Sequence, residues 1–371
     1  MKHKISTILI LGAFGILIIA AISILAKDPV NLDIPAHNSE PMPMPIEQNN
    51  LPILREMMPE FQGLTHWWNT SNNQPLFKED LKGKVVLIDF WTYSCINCIR
   101  TQPVLRQWWD TYKDEDFIMI GIHTPEFAFE KDPDNVERAI KKAELLYPIA
   151  LDPDFQTWRA FNNRYWPAAY LFDTQGRLRY THFGEGEYDV TEAAIRSLLD
   201  EAGADLQAPT GADATPDFSL TKTRETYFGY KRAKGFANSA EYKPDEIINY
   251  TQKQPQQNQW SLAGGWRVED ERSIAVTEGA SFQMNMQSNA MHIVLGTPEP
   301  SAKMELLVDG QPPTDDMLTE NTIRQGDGSV HITVREKDLY RIARFPDAGR
   351  HTVKLRMIDP NIQFYAATFG E

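Results

Sequence analysis

Only two cysteines occur in the 371 residues, and both lie in the stretch Trp91-Thr92-Tyr93-Ser94-Cys95-Ile96-Asn97-Cys98. A disulfide-stapled scaffold is thereby excluded, so the chain must fold by burying apolar surface. Just before the pair, Val85-Val86-Leu87-Ile88 is a continuous β-branched and apolar run, as expected of a central strand covered on both faces. Just after it, Val104, Leu105, Trp108, Trp109 and Tyr112 recur at helical spacing. The two thiols are therefore expected at a strand-to-helix junction.

Few chemistries suit two thiols in that setting. A structural zinc site takes about four ligands, whereas the eight histidines include no pair three to five residues apart. Haem attachment would need His after the second cysteine, and residue 99 is Ile. A structural disulfide and a redox pair remain. A bridge across two intervening residues closes a very short loop and removes little unfolded-state entropy. At the first turn of a helix, by contrast, unpaired N–H groups and the positive end of the dipole stabilise a thiolate, and the spacing lets one thiol reach the other. The redox pair is the leading reading and the structural bridge the alternative.

Around the junction, strand-like and helix-like segments alternate. Phe117 to Ile122 reads as a second buried strand, Asn135 to Leu146 as a helix, and Phe155 to Asn163 as another. Ala169 to Phe172 and Leu178 to His182 flank the turn Asp173-Thr174-Gln175-Gly176, and Val190 to Ala202 closes the unit as an amphipathic helix. This is an α/β domain. Beyond residue 217 short alternating runs take over: Ser281–Gln287, Met291–Leu295, Met304–Val308, Val330–Val334 and Thr352–Ile358. Asp309-Gly310 is a hairpin signal. That half reads as a β-sandwich or jelly roll.

The N-terminal stretch Ile5 to Ala26 holds 22 residues without a charge, preceded by Lys2 and Lys4. A helix of that length reaches about 33 Å against a bilayer core of roughly 30 Å, and the positive-inside rule sends everything after it across the membrane. A cleaved secretory signal is the alternative, but its apolar core is shorter, about 7–15 residues. The expected organisation is a transmembrane anchor or signal segment over 1–26, an extended Pro- and Asn-rich tether over 27–56, an α/β domain over 57–202, a linker with Pro209 and Pro216 over 203–217, and a β-sandwich over 218–371. The net charge of −14 argues against a nucleic-acid partner.

The motif VLIDFWTYSCINC resembles the thioredoxin fold of membrane-tethered TlpA/ResA-type thiol:disulfide oxidoreductases over residues 57–202. The words HTPEFAFEKD, WRAFNNRYWPAAYLFD and HFGEGEYD, with TRETYFGY, NQWSLAGGWRV and the final FYAATFG, resemble the extracytoplasmic thioredoxin and carbohydrate-binding-like region of DipZ-type proteins. The resemblance implies catalytic roles for Cys95, Cys98 and a buried proton-shuttling Asp89, and substrate contact by Trp91, Trp166 and a cis Pro167. Pro103 matches the proline of the active-site helix. Ser94 and Ile96-Asn97 depart from the usual residues before and inside the motif, positions that tune reduction potential.

The expected activity is reduction of protein disulfides by a single-pass protein of the cell membrane, with its folded domains in the periplasm or outside the cell. No cofactor or metal is expected. The implied partners are disulfide-bearing clients and a separate membrane electron donor, because one apolar span replaces the electron-importing membrane domain of DipZ-type proteins. Two alternatives stand beside it. Thr92, three residues before Cys95, suggests a thiol peroxidase, although Ile88 stands where that motif needs Pro. A surface binding protein acting through the β domain is the other, with Trp260, Trp266, Tyr340 and Tyr365 as candidates for glycan contact, though core packing suits each better. Glu126 reads as a solvated loop acid or a residue bordering the active site.

Overall fold

The computed structural model describes residues 51–206, 209 and 221–370. The expected membrane segment, the tether up to residue 50 and most of the linker lie outside the described residues. Among the described residues no helix is long and apolar enough to cross a membrane.

The first half is built on six strands: β1 (Trp67–Trp68), β2 (Val85–Trp91), β3 (Phe117–His123), β4 (Ile149–Leu151), β5 (Ala168–Phe172) and β6 (Leu178–Phe183), in the order β1-β4-β3-β2-β5-β6. β2, β3 and β4 run parallel, and β5 and β6 continue the sheet antiparallel. β2 is buried at every position, as its unbroken apolar run predicts. Its two faces feed two cores. Val85, Leu87 and Trp91 pack with Leu105 and Trp108 of α1 (Ile96–Tyr112) and with Ile195 and Leu198 of α4 (Tyr188–Glu201). Val86, Ile88 and Phe90 pack on the other side with Trp158 of α3 (Gln156–Ala160) and with Phe161.

Local chemistry corrects three expected boundaries. The helix expected from Asn135 is α2 (Pro133–Lys142), started by Asp132, whose carboxylate accepts from the Asp134 amide at 3.0 Å, and by Pro133. It stops short of Leu146 because Glu144 adopts φ 53°, turning Leu145 into the core. The helix expected over 155–163 is only the five residues of α3, closed by Asn162 at φ 57°. Residues 51–56, expected to belong to the tether, lie along the edge of β6: the Leu54 amide donates to Leu178 O at 2.7 Å, and the Arg179 guanidinium donates twice to Leu51 O.

The second half is all β. Strands β14 (Thr322–Arg324), β15 (Val330–Val334), β13 (Ala302–Val308), β17 (Arg350–Met357), β11 (Ser281–Gln287) and β9 (Gln259–Val268) form one layer in that order. β9 also borders the other layer, which continues through β10 (Ser273–Ala275), β18 (Gln363–Phe369), β12 (Ala290–Gly296) and β16 (Asp338–Arg344), with β7 (Thr226–Tyr227) on β18 and β8 (Ile247–Tyr250) on β9. β9 changes layer at Gly264-Gly265: β11 pairs with Gln259 to Ala263, and β10 with Trp266 to Val268. Gly264 takes φ 80°, and a Cβ there would stand 3.0 Å from the Ala280 backbone, so a glycine is needed at the corner. Phe282, Leu306 and Leu355 of one layer and Ile293, Ile342 and Phe364 of the other share one core. Asp309 and Gly310 do form a two-residue turn with φ 50° and 82°, closed by paired Val308 and Gln311, but β13 finds its neighbours in β15 and β17 instead.

Candidate active site

β2 ends at Trp91, and the chain turns through Thr92, Tyr93 and Ser94 into α1, with Cys95 as the N-cap. The Cys95 sulfur accepts from the Cys98 amide at 3.4 Å, so one of the otherwise unpaired donors of the first turn points at the sulfur. Both cysteines are thiols; Cys95 is half-buried and Cys98 buried. Burial first, then the hydrogen bond with Cys95 and the nearby charges of Cys95 and Asp89, push the Cys98 thiol well up, with a backbone bond at Thr92 acting the other way. Pro103 sits within α1, where it removes one ladder bond.

Asp89 is buried in β2, and burial pushes its carboxyl up to about 7. It shares a face with Leu87 and Trp91, the face covered by α1, and its neighbours in register are the small residues Gly121 of β3 and Ala169 of β5. Gly121 is required by close packing: a Cβ would stand 3.0 Å from Trp91 Nε1 and 3.1 Å from the Tyr147 ring. Trp91 is itself buried, edge-on to His123 at 4.9 Å between ring centroids, so it supports the motif from below and offers no surface to a substrate.

His123 follows as a buried neutral ring, lowered to about 3 by desolvation. Its Nε2 accepts from the Tyr93 amide at 3.3 Å and lies 3.3 Å from the Thr92 hydroxyl. Thr92 is thus buried against a histidine. The Trp166–Pro167 peptide is cis. It precedes β5, whose Ala168 pairs with Phe90, so the proline loop and the cysteine motif leave the same end of the sheet. The Trp166 indole donates to Thr124 O at 3.0 Å and packs against Trp158, leaving the ring half-buried.

Trp260, Trp266, Tyr340 and Tyr365 are all buried in the β half and cannot stack on a sugar; packing is their role. Tyr365 does more, because its ring meets Phe127 at 5.3 Å and Phe129 at 4.8 Å, both from the first half. Glu126 is no solvated loop acid. Its carboxylate accepts from the Tyr227 hydroxyl at 2.7 Å and from Arg232 at 2.9 Å, both in the second half. One buried acid escaped the sequence reading altogether. Glu130 is completely buried beside Ser94, and its only sequence signal is its place in the run Phe127-Ala128-Phe129-Glu130. Among the described residues no group of three His, Cys, Asp or Glu side chains could hold a metal ion.

A strand, a CxxC motif capping a helix, a buried acid under the motif and a cis-proline loop at the same sheet end define a thioredoxin-like redox protein. Residues 54–181 match the model of the AhpC/TSA family, and residues 223–370 match the thioredoxin-like C-terminal domain. The chain is 38% identical to protein DipZ of Mycobacterium tuberculosis over 261 residues, 69% of this chain but only 37% of that protein's length. It is 32% identical to the thiol-disulfide oxidoreductase YkuV of Bacillus subtilis over 149 residues, 40% of this chain and 97% of YkuV. A thioredoxin-like protein in its oxidised form, solved in solution, is 31% identical over 40% of this chain and 97% of its own, with a TM-score of 0.36. The chain belongs to the thioredoxin-like thiol-disulfide oxidoreductases.

Proposed function

We propose that this oxidoreductase reduces protein disulfides through Cys95 and Cys98, acting outside the cytoplasm from an anchor formed by residues 5–26. The observation that carries the reading is the unequal placement of the two thiols: Cys95 half-exposed at the helix cap, Cys98 buried one turn behind it. The Cys95 thiolate attacks one sulfur of a client disulfide, forming a mixed disulfide and releasing the other client sulfur as a thiolate, which takes up a proton. Cys98 then loses its proton to Asp89 and attacks Cys95, which releases the second client thiol and leaves a Cys95–Cys98 disulfide. A membrane dithiol donor returns two electrons and two protons. Trp166 and Pro167 border the place where client backbone docks.

The positive N-terminal end of α1 stabilises sulfur charge at Cys95 both when it attacks and when it leaves. The thiol-peroxidase alternative loses ground because the Thr92 hydroxyl lies against His123. The full chain with Cys98→Ser is expected to accumulate mixed disulfides with client proteins, and Cys95→Ser almost none. Equal trapping by both variants overturns the assignment, and rapid peroxide consumption by the reduced protein favours the alternative.

A further inference from the structure

Glu130 has every acceptor site of its carboxylate occupied, and by two different stretches of chain. Oε1 accepts from the Ser94 hydroxyl at 2.6 Å and from the Ser94 amide at 3.3 Å. Oε2 accepts from the amides of Glu126 at 2.6 Å and Phe127 at 2.9 Å. An ionised carboxylate offers about four lone-pair sites, and four donors meet them here. Ser94 immediately precedes Cys95, so the carboxylate ties the residue before the nucleophile to the loop that follows β3.

That loop is held in turn by the β half. The Glu126 side chain accepts from Tyr227 and Arg232, and the Arg232 guanidinium lies over the Tyr227 ring at 3.3 Å. The Ala128 amide donates to Glu271 at 3.1 Å, and Tyr365 packs on Phe127 and Phe129. Tyr93, on the other side of Ser94, donates its hydroxyl to Lys337 O at 3.1 Å. The two residues before Cys95 are thus tied to the β half, Tyr93 directly and Ser94 through Glu130.

We infer that Glu130 is a positioning residue for Cys95, and that the β half, through Tyr227 and Arg232 on Glu126, is part of the scaffold of the redox site. The inference rests on the reading of Cys95 as nucleophile. A glutamine at position 130 keeps the size but turns an NH2 group toward two of the four donors: facing Ser94 it reverses the hydroxyl bond and leaves the Ser94 amide unpaired, and facing the loop it leaves the 126 and 127 amides unpaired. It also removes a negative charge one residue away from the attacking sulfur. Burial pushes Glu130 up to about 7, with the Ser94 bond opposing and the Glu126 charge reinforcing, so the charge is present at pH 8.

The test uses the full chain at pH 8, with the equilibrium constant against glutathione and the rate of insulin disulfide reduction as readouts. In Glu130→Gln the equilibrium is expected to move about 3- to 10-fold toward the dithiol, because the thiolate form gains when a neighbouring carboxylate is removed. Arg232→Ala is expected to slow reduction about 2- to 5-fold in the wild-type background and to add almost nothing in the Glu130→Gln background, as a shared relay requires. If Glu130→Gln fails to fold, Tyr227→Phe and Arg232→Ala carry the test, since the first removes only a hydroxyl and Arg232 is exposed.

Wild-type equilibria and rates in all of these variants, with exchange abolished in Cys95→Ser, overturn the positioning role and leave the nucleophile assignment standing. Additive effects of Arg232→Ala and Glu130→Gln overturn the relay. Exchange that persists in Cys95→Ser overturns the underlying reading itself.

Discussion

The Cys98 amide donates to the Cys95 sulfur at 3.4 Å, while the Cys98 thiol itself is buried in the core. The same turn of helix therefore gives one cysteine a donor and denies the other solvent. In the proposed mechanism Cys95 attacks first, and Cys98 must then lose its proton inside the fold.

Asp89→Asn is expected to slow resolution of the mixed disulfide by about 10- to 100-fold, in or below the range of general base catalysis. Its formation by Cys95 should change much less. Single-turnover kinetics with a disulfide peptide separate the two steps. Wild-type resolution across neutral pH would make Asp89 a structural residue.

Stability should depend on pH with a definite sign. Asp89 is raised from 3.8 to about 7, so the folded form keeps a proton that the unfolded chain loses. The stabilisation is full below pH 4 and is lost as pH rises through about 7, a loss of up to roughly 4 kcal/mol. Glu130, raised from 4.5 to about 7, adds a slope of the same sign. Urea unfolding from pH 4 to 8 should therefore show a shallower decline in Asp89→Asn, which becomes more stable than the wild type above neutrality. An unchanged slope would mean that the carboxylate is not desolvated.

Tyr365→Ala should cost about 3–5 kcal/mol, the range for emptying a large aromatic site. The ring is buried against Phe127 and Phe129, and its hydroxyl both donates to Gln363 and accepts from Arg272. Because it joins the two halves, the loss should appear in the unfolding of both, read by hydrogen exchange in α2 and in β18. A loss confined to the β half would show that the halves unfold independently.

The full chain should stay in the membrane fraction after a carbonate wash, with its cysteines labelled by a reagent that cannot enter the cell. Recovery of a soluble protein beginning near Lys27 would mean that the apolar segment is a cleaved signal.

Local spacing was enough to determine a great deal about this protein. The run Val85 to Ile88, the CxxC at its end and the helical repeat after it specify a strand, a capped turn and a helix, because side-chain direction follows backbone period. The strict alternation of Val353, Leu355 and Met357 with Lys354 and Arg356 specifies which face of β17 is buried, and those three apolar side chains are buried in the structure. Only the tertiary structure decided what surrounds the motif. Ser94 meets Glu130 from 36 residues away, Glu126 meets Tyr227 from 101, and Tyr93 meets Lys337 from 244. No periodicity records such pairs, because each depends on how segments far apart in the chain pack together. Glu126 and Glu130 look alike in the sequence, one turn apart in a loop. The packing of the β half against that loop makes one an acceptor for Tyr227 and Arg232 across the halves and the other a buried acceptor for Ser94.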